Sequence, residues 1–197
     1  MTRLLPTVAP LLLAVAGFGC RQAAPAKEAS SPDAGGVARG KYLAWAGGCN
    51  DCHTPKKMGA AGVPELDTTR LLAGHPEEPK LPPPPELAPG PWLAVFSWDL
   101  TAAAGPWGVS YAVNLTPDEN TGLGIWTEEM FVKAMRTGKH MGTSRPILPP
   151  MPWETIRNYT DDDLKAIFAY LRSIPPVKNR VPEAIIAPPP PDAPAQP

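Results

Sequence analysis

The sequence predicts a small all-α fold in which helices from the two ends of one domain cross, with one further helix and long proline-rich loops. Three observations carry this expectation. Residues 160–175 read as a capped helix with one apolar stripe, and residues 37–46 read as a helix with a glycine suited to a close crossing. The third is proline: 29 residues in 197, concentrated in two runs, so much of the remaining chain is extended or looped. The length suits one domain with a margin for tails. A formal net charge of −1 gives no reason to expect nucleic acid or an anionic surface as a partner.

Residues 1–20 read as an export signal. Arg3 supplies the positive start, and Leu11 to Ala16 form an apolar core too short to span a bilayer. Ala14-Val15-Ala16 suits ordinary signal cleavage, whereas Gly17-Phe18-Gly19-Cys20 looks like an imperfect lipobox. Lipidation of Cys20 would explain why an exported chain keeps this unpaired thiol; a cysteine of the signal itself, or a free surface thiol, are the alternatives. Residues 21–36 are Ala, Pro, Ser and Gly without an apolar period, a flexible tether.

From Val37 the composition turns helical and stops at Gly47-Gly48. Gly40 inside this helix costs about 1 kcal/mol relative to Ala, which a close approach by another helix would offset. The next five residues carry the chemistry. Cys49-Asn50-Asp51-Cys52-His53 is the attachment signature for c-type haem: two thiols spaced to add to the two vinyl groups of one porphyrin, and a histidine beside them to bind iron. A thioredoxin-like disulfide does not require His53, and no βαβ pattern surrounds the pair. Zinc needs about four ligands, and the remaining histidines, His75 and His140, stand at no familiar spacing.

Residues 54–113 contain Pro82 to Pro85 and several Gly-Pro breaks, which predicts loops with little regular structure. Leu93, Val95, Phe96 and Trp98 suit a short strand or a haem cover. A further helix is expected from Glu128 to Thr137, with Thr127 as N-cap, Gly138 as stop and Phe131, Ala134 and Met135 as its apolar face. The last helix has Thr160 as N-cap, resembling a capping box with Asp163, and acidic residues 161–163 in its first turn. Leu164, Ile167, Phe168 and Leu171 make its stripe, and Pro175-Pro176 end it. The sequence after Val177 reads as a Pro/Ala-rich tail.

One histidine leaves the other iron face open. Met151 has the best context, in Ile147-Leu148-Pro149-Pro150-Met151-Pro152-Trp153, where prolines fix φ and lower the entropy lost in holding a thioether in place. Met151 as a gap filler, or His140-Met141 as the second ligand, are the alternatives. Met130 and Met135 suit helix packing, Met58 lies too near His53, and His75 reads as a solvated loop histidine.

The order of helix, Cys-x-x-Cys-His, long loop, Met loop and capped helix resembles a class I mono-haem cytochrome c. Asn114-Leu115-Thr116-Pro117-Asp118, Gly122 to Trp126, Met151-Pro152-Trp153 and Ala169 to Pro175 are similar to haem domains in cytochrome subunits of bacterial membrane-bound dehydrogenases. The resemblance covers Val37 to Val177 and implies a small cytochrome c fold. It implies that Cys49 and Cys52 carry the thioethers, His53 is the proximal ligand and Met151 the distal one. It also implies that the terminal helices cross at Gly40, against Tyr170 or Leu171. Those subunits carry three such domains; one motif here implies no relay between haems within this sequence. Haem propionates need donors, for which Trp126, Asn114, Arg136 and Arg145 are candidates. The run from Lys133 to Arg145 has four cationic residues and no carboxylate, which suits steering of an acidic partner or simply a solvated face.

The expected function is a one-electron carrier with one covalent haem c and His53/Met151 ligation, exported to the periplasm and membrane-anchored through Cys20. It is not itself an enzyme. Its partners would be a redox donor and acceptor: a dehydrogenase, an oxidase or another cytochrome. The alternatives are a peroxidase-like enzyme or sensor in which Met151 detaches, and a haem subunit docking a dehydrogenase to the membrane.

Overall fold

The structure is a computed structural model that describes residues 32–86 and 90–188. The export signal with Cys20, tether residues 21–31 and residues 189–197 lie outside the described residues. The first helix, α1, spans Pro32–Ala46, so residues 32–36 continue a helix rather than the expected tether. The chain turns at Gly47 and Gly48. Gly48 has φ 73°, a left-handed conformation that glycine adopts without a Cβ penalty. This turn feeds a second helix, α2, over Cys49–His53.

Helices α3 (Glu128–Thr137), α4 (Trp153–Ile156) and α5 (Asp161–Ser173) complete the helical set. The sequence expectation holds closely for α3 and α5. Thr127 accepts from the Met130 N–H, and Thr160 accepts from the Asp163 N–H, each capping one otherwise unpaired donor. α3 stops at Gly138, and α5 stops at Ser173 before the two prolines.

Helices α1 and α5 cross with their backbones in near contact. A Cβ at Gly40 would overlap the Ala166 carbonyl and meet Ile167 N at 3.0 Å. The crossing point is therefore one turn earlier on α5 than the expected Tyr170 or Leu171. Arg39 pairs with Asp163 at 3.0 Å beside the crossing. Leu43, Ala44, Leu164, Ile167 and Leu171 are buried there, and α3 adds Phe131, whose ring lies 5.4 Å from that of Phe168.

The all-α expectation holds only in part, because short strands accompany the five helices of the described residues. The stretch 54–113 forms β1 (Lys56–Met58) and β2 (Pro64–Leu66), an antiparallel pair, followed by β3 (Val95–Phe96), β4 (Ala102–Gly105) and β5 (Gly108–Tyr111). A fourth strand of the second sheet comes from the supposed tail: β6, Ile185–Ile186, pairs with β5. The sheet order is β3-β4-β5-β6, antiparallel throughout. These strands are two to four residues long. Such segments are held by pairing and packing rather than by local preference.

The tail is also tied down before β6. Asn179 is 2 % exposed, and its amide donates to the carbonyls of Ala73 and His75 and accepts from Arg70 and the Glu77 N–H. Among the described residues, no helix is long and apolar enough to cross a membrane.

Candidate functional site

The Cys49–His53 helix sets three of the residues singled out in the sequence around one cleft. Cys49, Cys52 and His53 line it, and Met151 lines it from the loop before α4. The cleft is partly open to solvent on one side. Leu43, Ile167 and Leu171 close it from the α1–α5 crossing, and Phe131 and Met135 from α3. The sheet supplies another wall through Ala102, Ala103 and Ser110, in a stretch where we expected loops with little regular structure.

His53 is fixed by one bond. Its Nδ1 lies 2.8 Å from the Val113 carbonyl, so the neutral ring donates from Nδ1 and leaves the Nε2 lone pair free. Burial pushes its pKa below the ordinary histidine value, against that hydrogen bond, and keeps it in this neutral form. The two thiols are not joined to one another. Burial raises the Cys49 thiol to about 11 and also raises Cys52, so both stay protonated at neutral pH. Among the described residues, no group of three or more His, Cys, Asp and Glu could hold a metal ion.

The loop that holds His53 is itself braced. The Gly74 N–H donates to the His53 carbonyl at 2.7 Å, and the Leu115 N–H to the Leu72 carbonyl at 2.9 Å. Thr54 accepts from the Leu72 N–H and donates to Asn50 Oδ1.

These residues fit a c-type haem. Two thiols, a neutral imidazole with a free nitrogen, and a thioether share one slot whose remaining walls are mostly apolar. An apolar surround keeps water from the iron and raises the cost of charge there.

Other candidates are not brought to this cleft. Asn114 is buried, and its amide is fully used: it donates to Thr121 and the Val177 carbonyl, and accepts from the Thr116 N–H and hydroxyl. Trp126 packs against the core and stands edge-on to His140 at 5.0 Å. Neither lines the cleft, nor do Arg136, Arg145, His140 or Met141. Arg136 bonds instead to Asp161 and the Arg157 carbonyl. His75 is not solvated: it is 3 % exposed and bonded to Thr101, because the sheet covers it. Met135 does line the cleft, from within the packed face of α3. Sequence reasoning missed Thr101, Ser110, Tyr111 and Tyr159 as wall residues; nothing in their local pattern marks them.

A family model described as Cytochrome c matches residues 37–175. Among curated proteins, the chain is 27% identical over 165 residues to the fructose dehydrogenase cytochrome subunit of Gluconobacter japonicus, covering 84% of this chain and 26% of that one. It is 30% identical over 142 residues to the gluconate 2-dehydrogenase cytochrome c subunit of Pantoea cypripedii, covering 72% and 24%. A shorter match, 40% over 77 residues, is to a subunit of the nicotinate dehydrogenase of Pseudomonas putida, covering 39% and 6%. The chain spans about a quarter or less of the length of these relatives.

Proposed function

The chain belongs to the cytochrome c family, which holds haem c covalently, and on that premise we propose that it carries single electrons with His53 and Met151 as axial ligands. The observation that supports this reading is the shared cleft of Cys49, Cys52, His53 and Met151. Bound there, haem supplies an iron that cycles between ferrous and ferric states, with a potential raised by Met/His ligation.

The chain's own residues prepare that cycle. Cys49 and Cys52 anchor and take no further part. The Val113 carbonyl holds His53 in one tautomer and one orientation. The apolar walls exclude water, and the Met151 thioether would leave no open position for oxygen or peroxide. A site of this kind transfers electrons rather than catalysing a reaction on a substrate.

The partners we infer are a dehydrogenase as donor and an oxidase or another cytochrome as acceptor. Support for the donor comes from the relatives, which are cytochrome subunits of fructose, gluconate and alcohol dehydrogenases. We place the haem domain in the periplasm, held to the membrane by a lipid on Cys20. The support is the signal-like residues 1–20 and their terminal cysteine.

The test is the visible spectrum of the holoprotein. Met151→Ala should retain covalent haem on a denaturing gel and lose the thioether–iron charge-transfer band, whereas Met135→Leu should keep the band. Survival of the band in Met151→Ala would show that another residue ligates the iron. Carbon monoxide binding to the reduced native protein would favour the open-iron enzyme or sensor.

A further inference from the structure

The loop that carries Met151 has few means of holding itself in place. Three of residues 148–152 are prolines, which have no N–H to donate. The Met151 N–H bonds only to Leu148 within the loop, at 3.3 Å, and the Trp153 N–H to Met151. The Pro152 carbonyl serves the next turn of chain, accepting from the Thr155 and Ile156 N–H groups. Among the described residues, one hydrogen bond ties this loop to a distant part of the molecule: Ser110 Oγ donates to the Pro149 carbonyl at 2.6 Å, across 39 positions of sequence.

That bond is aimed by a second one. Trp107 Nε1–H donates to Ser110 Oγ at 3.1 Å, so the hydroxyl is an acceptor there and its single proton is left for Pro149. The Ala103 carbonyl, at 3.4 Å, is a weaker competitor for it. Trp107 sits in the turn between β4 and β5, and Ser110 is on β5, the strand whose inner face lines the cleft. The sheet therefore reaches the loop from the same wall that covers the cofactor.

We propose that Ser110, aimed by Trp107, is a latch that holds the Met151 loop closed and so sets how readily the distal thioether yields its place. It is a positioning residue and acts through the Pro149 carbonyl. The inference rests on the reading of Met151 as the distal ligand. Without the latch the thioether still reaches the iron, but the loop opens more often. An added ligand that needs the open form gains affinity in proportion to the population of that form.

The experiment is titration of the ferric holoprotein with imidazole, alongside the charge-transfer band and the global unfolding midpoint. A single hydrogen bond of this kind predicts that Ser110→Ala keeps the band and binds imidazole about three- to tenfold more tightly. Trp107→Phe should shift affinity in the same direction by less, and Ser110→Thr, which keeps the hydroxyl, should behave as the wild type. Imidazole affinity in Ser110→Ala equal to that of the wild type, with the band lost in Met151→Ala, would overturn the latch alone. Survival of the band in Met151→Ala would overturn the ligand assignment and the latch together. A merely structural role for Ser110 would lower the unfolding midpoint without moving imidazole affinity, which also counts against the proposal.

Discussion

Thr101 accepts a hydrogen bond from His75 Nδ1 at 2.6 Å and donates its own proton to Asp99 Oδ2 at 2.9 Å. A hydroxyl has one proton, so the histidine must carry the hydrogen on Nδ1. Its ring lies 4.9 Å from that of Tyr111, which lines the cleft. Burial lowers the His75 pKa, Asp99 works against that, and Arg70 adds to the lowering. The folded state thus favours the neutral ring. Below the ordinary value of 6.5 the unfolded chain takes up a proton before the folded one does, so stability falls as pH falls below 6.5. His140 is lowered too and contributes in the same direction. Replacing His75 by Asn leaves an amide to donate to Thr101 and removes the titration. Urea midpoints of the holoprotein between pH 7.5 and 5 should therefore fall less steeply in His75→Asn than in the wild type. Parallel slopes would mean that His75 protonates equally in both states. Nothing local marks this residue as buried, because its partners Thr101 and Tyr111 lie far from it along the sequence.

At the scale of elements, legibility follows range. Helices α3 and α5 carry their signals within one or two turns: a threonine cap, an apolar stripe, a glycine or proline stop. The structure returns those boundaries within a residue. The strands carry no comparable signal. Ala102-Ala103-Ala104 is a poor strand former on its own, and it is a strand because β3 and β5 flank it. Ala102 and Ala103 of this strand line the cleft. The site divides in the same way. Cys49, Cys52 and His53 are contiguous and could be read directly, and Met151 was legible from its prolines. Trp107 and Ser110 were not, since their role depends on a contact 39 residues away. Two substitutions test the helical elements. Thr160→Ala removes the acceptor for the Asp163 N–H and should cost about 1 kcal/mol in denaturant unfolding. Gly40→Ala should cost at least about 2 kcal/mol, because the new methyl meets the backbone of α5 and the crossing must open. A cost near zero would mean that the two helices are not held at this distance.

Taken whole, the molecule closes on itself through its C-terminal stretch rather than ending at α5. Beyond Ser173, the Val177 carbonyl accepts from Asn114, and the Val177 N–H donates to Thr116. Asn179 then uses all four hydrogen-bonding positions of its amide on residues 70–77. That segment includes Gly74, whose N–H holds the His53 carbonyl. The supposed tail is thus a strap across the loop that carries the proximal histidine, and β6 extends the strap onto the sheet. Asn179→Ala would leave the buried carbonyls of Ala73 and His75 without these donors. An unmet buried polar group costs about 1–3 kcal/mol, so the unfolding midpoint of the holoprotein should drop by that equivalent. Hydrogen exchange should also quicken at Gly74, Leu72 and Glu77, while the amides of α3 keep their protection except through global unfolding. If exchange rises only through global unfolding, the strap is a stabilising element without a local hold on the His53 loop.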